Sequence, residues 1–137
     1  MSSSDQDLEI LSLSTPHKDH LLLPCTVDVN DNSFATQAFL DCGATDNFYD
    51  FDSAQKRNLT LNVLPNPRQL HLVDGTLAAS ITHTTTLQIN LMGHKESLIF
   101  FLTNLNNYEI ILGRKWLRKY NPSINWSKDL VSFNSEY

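Results

Sequence analysis

The chain has 137 residues, with 10 basic and 15 acidic side chains and a formal net charge of −5. This length suits one domain with a single core and is too short for two. No run of Lys and Arg forms the basic stripe of a nucleic-acid-binding surface, and no apolar stretch approaches the about 20 residues of a membrane span, so we expect neither partner.

The first twenty residues are polar, rich in Ser and Asp, and interrupted by Pro16. They lack the positively charged start and apolar run of a signal peptide. Two cysteines are also too few for a secreted domain built on disulfides. We therefore predict a flexible leader or linker at 1–20 and an intracellular, cytoplasmic domain at 21–137. The apolar residues of the leader leave an edge strand as the alternative: Leu8, Ile10, Leu11 and Leu13.

From Leu21 onward the sequence alternates with a period of two, which is typical of half-buried strands. A turn cluster at 30–33 precedes the apolar segment 34–40, so this part predicts a hairpin. The segment 52–58 is the first that suits a helix, and it is short. The two prolines within 59–67 predict an irregular connection.

The middle of the chain continues with strand patterns. The segments 70–73 and 77–81 flank Asp74-Gly75, a strong hairpin signal. Alternation over 87–91 predicts another half-buried strand. The continuous apolar run at 98–102 predicts a strand that is covered on both faces.

The C-terminal part combines short strands with one helix. An apolar strand is predicted at 110–112, followed by a brief helix at 114–120 that ends before Pro122. The segments 124–126 and 130–133 predict a last hairpin. Mostly β structure with little helix indicates an all-β fold, a small closed sheet or barrel.

Asp41 is the candidate functional residue that stands out. It follows the apolar segment 38–40 and precedes Cys42 and Gly43. An acid between an apolar strand and a glycine-containing loop lies at the rim of a core, where partial desolvation favours a functional role. Asp-x-Gly also caps ordinary turns, so the tripeptide alone leaves both interpretations open.

Several segments together resemble the proteases of gypsy-type long-terminal-repeat retrotransposons, which belong to the retropepsin family. In chain order they are Asp41-Cys42-Gly43-Ala44-Thr45, Leu72-Val73-Asp74-Gly75-Thr76, Ile110-Ile111-Leu112-Gly113-Arg114 and Asn121-Pro122-Ser123-Ile124-Asn125-Trp126. Their order and spacing match the family pattern, and the resemblance extends from Leu21 to Phe133. The motifs are specific as an ordered set rather than singly.

The resemblance implies a small closed β-barrel of the retropepsin type with one short C-terminal helix, functional as a homodimer. It implies an aspartic endopeptidase in which Asp41 from each protomer activates a water molecule that attacks the peptide bond. It implies no metal and no other cofactor. The implied partners are a second copy of the chain and extended peptide segments of a Gag-Pol-type retroelement polyprotein, in the cytoplasm or inside virus-like particles.

The resemblance also assigns roles to three groups of residues. The active-site loop continues with Cys42, Gly43, Ala44 and Thr45. The flap, which closes over the substrate and hydrogen-bonds its backbone, comprises Val73, Asp74, Gly75 and Thr76. The support beneath the active-site loop comprises Ile111, Leu112 and Gly113. The alternatives are an ordinary exposed turn for the flap segment and a plain core strand for the support.

Cys42 departs from the family, which carries Ser or Thr at this position with a hydroxyl that bonds across the dimer axis. A thiol is a poorer donor, so we expect a looser dimer or lower activity. A nucleophilic Cys42 lacks a histidine placed as its base, and a disulfide between two copies of Cys42 needs loops of suitable geometry. The main alternative function is an inactive retropepsin-like dimerisation or binding module; another is an unrelated small β-barrel binding module.

Overall fold

The computed structural model of the chain describes residues 11–13, 21–72, 74–125, 127–128 and 130–132. Strands and two short helices occupy these segments. The strands are β1 (Leu11–Leu13), β2 (Leu21–Val29), β3 (Asn32–Leu40), β4 (Phe48–Asp50), β5 (Asn62–Leu72), β6 (Leu77–Leu91), β7 (His94–Thr103), β8 (Ile110–Leu112), β9 (Ser123–Asn125) and β10 (Leu130–Ser132). The helices are α1 (Phe51–Lys56) and α2 (Arg114–Tyr120).

Six strands close into a barrel. Hydrogen-bonded neighbours run in the order β6, β2, β3, β8, β4 and β7, and a further pairing between β6 and β7 closes the ring. The sheet extends beyond the ring from β6 to β5 and from β5 to β1, while β9 and β10 form a separate antiparallel pair. Because the ring is closed, each of its six strands is hydrogen-bonded to a neighbour on both sides. The predicted all-β closed barrel is therefore confirmed.

The first hairpin shows how the sequence pattern builds the wall. Along β2, the buried residues are Leu21, Leu23, Cys25 and Val27, and the residues between them are more exposed. Val29 pairs with Asn32, so the turn consists of Asn30 and Asp31, both at positive φ. Asn and Asp tolerate this conformation better than most residues, and such a turn matches the twist of a hairpin.

Two details of the strands differ from expectation. β5 begins at Asn62, within the segment that the prolines predicted to be irregular, and its pairing with β6 shifts register between Val63 and Arg68. The strand continues through this segment. Its pairing is irregular there because proline has no N–H to donate to the neighbouring strand. In β7, Ile99 is 61% exposed, because one face of this barrel wall is open to solvent there.

β1 arises from the segment assigned to the leader. Leu11–Leu13 pairs in parallel with Leu70–Leu72 of β5, which is the edge-strand alternative. The physical reason is burial, since the Leu11 side chain is fully covered. The other residues of 1–20 lie outside the described part of the chain, so the leader boundary stays a prediction.

Apolar side chains form two clusters on opposite faces of the barrel wall. Ala38, Leu40, Ile110 and Leu112 belong to the inner cluster. Their chain neighbours Phe39 and Ile111 belong to an outer cluster, because successive side chains of a strand point to opposite faces. The members of the outer cluster are Leu11, Phe39, Ala44, Phe48, Leu70, Ile81, Leu105 and Ile111. This cluster joins β1 and the β5–β6 hairpin to the barrel.

Candidate active site

Asp41 lies directly after β3, where that strand and β8 end side by side. The two strands run parallel with Leu40 opposite Leu112, and the Asp41 amide donates to the Leu112 carbonyl at 3.0 Å. Because parallel strands finish at the same edge of a sheet, this pairing brings Asp41 beside Gly113. The motif that begins at Asp41 and the motif Ile110-Ile111-Leu112-Gly113-Arg114 thus meet at one point.

The loop after Asp41 is fixed by hydrogen bonds to its own aspartate. The Gly43 amide donates to Asp41 Oδ1 at 2.9 Å, and the Ala44 amide donates to the Asp41 carbonyl at 3.1 Å. Aspartate favours such turns because its short carboxylate reaches the backbone two residues on. Asp41 is only 6% exposed and Ala44 is fully buried, whereas Cys42 is exposed.

The start of α2 holds the same loop from behind. The Arg114 amide donates to the Ala44 carbonyl at 2.7 Å, and the Lys115 amide donates to the Thr45 carbonyl at 3.3 Å. These are N–H groups of the first helical turn, which lack partners within the helix. The loop carbonyls satisfy them, so the loop and the helix fix one another.

Gly113 stands at the tightest point of this contact. A Cβ on this residue would lie 2.1 Å from the Asp46 carbonyl oxygen and 2.8 Å from that of Ala44. The Gly113 amide donates to Asn47 Oδ1 at 3.1 Å. The support assigned to Ile111, Leu112 and Gly113 therefore lies against the loop, with both hydrophobic residues buried.

Three of the predicted flap residues, Asp74, Gly75 and Thr76, lie in the turn of the β5–β6 hairpin. The Gly75 amide donates to the Leu72 carbonyl at 2.8 Å, and Gly75 takes a φ of +90°, which favours glycine. The Thr76 amide donates to Asp74 Oδ1 at 2.8 Å, and hydrogen bonds from Thr76 lower the pKa of Asp74. Asp74, Gly75 and Thr76 are exposed. Val73 lies outside the described residues, and the flap role stays a prediction.

β5, which leads into the predicted flap turn and is called the flap strand below, and the loop after Asp41 lie on opposite sides of β1. Ser12 pairs with His71 of β5. On its other side, the Ser12 amide donates to Thr45 Oγ1 and the Thr45 amide donates to the Ser12 carbonyl, both at 3.1 Å. Neighbouring strands lie about 4.8 Å apart. The flap strand and the loop are thus separated by the width of one extended peptide.

Two described contacts at this site were not identified from the sequence. Asn47 follows the loop closely along the chain, so a polar side chain able to cap the loop was a usable signal. The contact between Ser12 and Thr45 joins residues 33 positions apart, and no local pattern indicates it. Both contacts position the loop that carries Asp41.

Among the described residues, no group of three or more His, Cys, Asp or Glu side chains is arranged to hold a metal ion. In the same part of the chain, no helix combines the length and the apolar character that crossing a membrane requires.

Comparison with known proteins places this geometry in context. The family model for the PEG10/RTL1 protease domain matches residues 37–137, which is more than half of the chain. Among solved structures, the chain is similar to the retroviral protease-like domain of Ddi1 from Leishmania major, with a TM-score of 0.58. The match has 18% sequence identity and covers 87% of this chain and 91% of that one. At this identity the structural match shows a shared retroviral protease-like fold.

Proposed function

Because the chain belongs to the PEG10/RTL1 protease-domain family, we propose that it is a retropepsin-like aspartic endopeptidase with Asp41 as the catalytic carboxylate. One observation carries the proposal: Asp41 begins a loop that β8, Gly113 and the first turn of α2 hold in place. Catalysis by positioned carboxylates requires such a loop, since an error of about 1 Å in placement lowers the rate strongly.

The active unit in this proposal is a homodimer. Asp41 is the only aspartate in the sequence that is followed two positions later by glycine. In this proposal, a reaction that uses two facing carboxylates takes Asp41 from two copies of the chain, related by twofold symmetry. Two carboxylates at close range share one proton, because both cannot ionise together.

The reaction uses the two states of that pair. The ionised Asp41 takes a proton from a water molecule, and the water oxygen bonds to the scissile carbonyl carbon. The protonated Asp41 of the other copy donates its proton to the carbonyl oxygen. When the carbon–nitrogen bond breaks, the Asp41 that took the proton from water donates it to the leaving amine. A hydroxyl of the tetrahedral intermediate gives its proton to the other Asp41 as the carbonyl re-forms, so the pair returns to its singly protonated state.

The substrate class is an extended peptide. Such a peptide would pair with the flap strand β5, as in recognition by strand addition. Its natural source in this proposal is a Gag-Pol-type polyprotein that contains the protease itself, processed in the cytoplasm or inside virus-like particles.

A second candidate function is a binding or dimerisation module that does not cleave peptides. The exposed Cys42 supports it, because a thiol is a weak donor in place of the hydroxyl that joins the two loops in the retropepsin family. The two candidates share a fold and differ in the chemistry of a single loop.

Peptide cleavage tests the proposal. Wild type, Asp41→Asn and the control Asp52→Asn are assayed with a peptide library at mildly acidic pH, at a protein concentration that populates dimers. Asp52 is exposed in the first turn of α1, so its substitution repeats the chemical change away from the loop. We expect Asp41→Asn to lower kcat by about a thousandfold, Asp52→Asn to leave it unchanged, and a pepstatin-like inhibitor to block the wild type.

The opposite results are equally informative. Equal cleavage by wild type and Asp41→Asn would contradict the role of Asp41. A folded, dimeric wild type without activity would favour the binding module. Gain of activity in Cys42→Ser, and not in Cys42→Ala, would then identify the missing hydroxyl as the cause.

A further inference from the structure

The three-residue strand β1 occupies the gap between the flap strand and the active-site loop. It has β5 on one side, through the pairing of Leu11–Leu13 with Leu70–Leu72. It has Thr45 on the other side, through both backbone groups of Ser12. Thr45 follows Asp41 by four positions. β1 therefore fills the space between the flap strand and the loop that carries Asp41.

The contacts of β1 are those with which a protein binds a peptide. Backbone pairing along a sheet edge supplies affinity without regard to sequence, and a buried side chain supplies specificity. Ser12 contributes the backbone part by donating to Thr45 Oγ1 and accepting from the Thr45 amide, each at 3.1 Å. The Ser12 side chain takes no part in either bond.

Leu11 contributes the side-chain part. It is fully buried in the outer apolar cluster, together with Ala44 of the active-site loop and with Leu70 and Ile81 of the flap hairpin. The cluster thus forms an apolar subsite, bounded by flap and loop, that takes an aliphatic side chain.

We propose that Leu11–Leu13 occupies the peptide-binding cleft in cis, so that the chain's own N-terminal segment competes with substrate. The inference rests on the proposed function in taking this cleft as the substrate site. It adds an internal competitor and an aliphatic preference at the position that Leu11 fills. A peptide that enters the cleft must first displace β1.

The competition is intramolecular and reversible. β1 and the barrel belong to one chain, so the effective concentration of β1 at the cleft does not depend on the protein concentration. A three-residue edge strand outside the barrel ring is also among the elements that open most readily. Substrate affinity is reduced by the fraction of molecules in which the cleft is closed.

Binding of a peptide to a variant that is expected not to cleave it tests whether β1 occupies the cleft. A labelled peptide with the sequence of residues 8–16 (LEILSLSTP) is titrated against Asp41→Asn protein by fluorescence anisotropy. Ser12→Pro removes the N–H that Thr45 accepts, Leu11→Ala empties the subsite in cis, and Ser12→Ala keeps both backbone bonds as the matched control. We expect Ser12→Pro and Leu11→Ala to bind the peptide about tenfold more tightly than Ser12→Ala, and a scrambled peptide to bind none of them.

Equal affinity of the peptide for all three variants would overturn the proposal. Protection of the β6–β7 amides from hydrogen exchange verifies that each variant keeps its barrel, and the milder Leu11→Ala provides the result if Ser12→Pro does not fold. Cleavage assays in the Asp41 background separate the two proposals. Tighter peptide binding without any peptidase activity would support occupancy of the cleft by β1 and contradict the proposed enzymatic function. Peptidase activity with an unchanged KM in Ser12→Pro would support the enzymatic function and contradict the occupancy.

Discussion

Gly113 shows how one residue decides whether the active-site loop can form. The loop carbonyl of Asp46 lies where a side chain would begin, 2.1 Å from an ideal Cβ. We predict that Gly113→Ala lowers the free energy of unfolding by at least about 2 kcal/mol, because backbone atoms of the loop must move. Urea denaturation measures this loss, and any cleavage activity should fall with it.

Gly93 in the β6–β7 turn provides the comparison for Gly113. An alanine Cβ at position 93 meets nothing within 4 Å, although the φ of +86° is unfavourable for alanine. Gly93→Ala should therefore cost about 1 kcal/mol, from backbone conformation alone. If Gly113→Ala proves no more costly than Gly93→Ala, the close contact at the loop is not limiting.

At the scale of elements, Glu109 joins β8 to three neighbours. Its carboxylate accepts from Thr36 of β3 at 2.6 Å, from the Tyr49 hydroxyl of β4, and from Arg57, next to the end of α1, at 2.5 and 3.1 Å. Burial would raise the pKa of Glu109, but the hydrogen bonds from Arg57, Thr36 and Tyr49 outweigh it and lower the pKa. The ionised carboxylate thus fixes the short strand that supports the active-site loop.

The pKa of Glu109 predicts an acid-dependent contribution to stability. Since its folded-state pKa lies below the ordinary value of 4.5, the stabilisation is present above that value and is lost as pH falls through the folded-state pKa. Glu109→Gln should lower the free energy of unfolding by about 2 kcal/mol at pH 7. The difference from wild type should shrink below about pH 4.5.

Urea unfolding at pH 7 and at successively lower pH tests the Glu109 prediction. Asp52→Asn serves as control, because Asp52 is exposed and lies outside this cluster. A difference between wild type and Glu109→Gln that does not change with pH would show that the charge of Glu109 is not what stabilises β8.

A second polar anchor holds α2. Glu96 of β7 accepts from Trp116 Nε1 at 2.7 Å and from the Tyr120 hydroxyl. Trp116 and Tyr120 are four residues apart and both buried, so one face of α2 packs on the barrel. This fixes the helix whose first turn binds the carbonyls of Ala44 and Thr45.

At the scale of the whole molecule, the proposed site needs two chains. We predict that adding an equal amount of Asp41→Asn to wild type, under conditions where dimers are saturated, reduces cleavage to about half, because half of the wild-type chains then pair with an inactive copy. An equal amount of Asp52→Asn should instead raise the rate. Cleavage unaffected by Asp41→Asn would indicate that each chain works alone.

Much of the fold was predictable because its determinants are local. Alternating burial along β2 and the positive φ of Asn30 and Asp31 follow from residue type. The segments on either side of Asp74-Gly75 form the predicted hairpin, in which β5 ends at Leu72 and β6 begins at Leu77. The two prolines within 59–67 predict an irregular connection, because a rule based on local sequence does not include the long strand β6, which pairs with β5 across an irregularity.

The candidate site was predictable in its residues but not in its contacts. Asp41, Gly43 and Gly113 could be singled out from their place after apolar strands and from the ordered motifs. The hydrogen bonds that the Arg114 amide donates to Ala44 and that the Gly113 amide donates to Asn47 depend on segments that meet only in space. No local sequence pattern indicates the hydrogen bonds of Glu109 either, because its partners Thr36, Tyr49 and Arg57 lie in separate parts of the chain.

The sequence by itself determined the all-β class, the turns and the one aspartate on which a dimeric carboxylate site can be built, because these depend on residue type and spacing. Only the tertiary structure decided that β3 and β8 end together at Asp41, that the loop leaves no room for a side chain at Gly113, and that Leu11–Leu13 lies between β5 and the loop after Asp41. These features depend on strand pairing and burial between segments that are distant in sequence. The free energy of such contacts cannot be derived from any single segment of the chain.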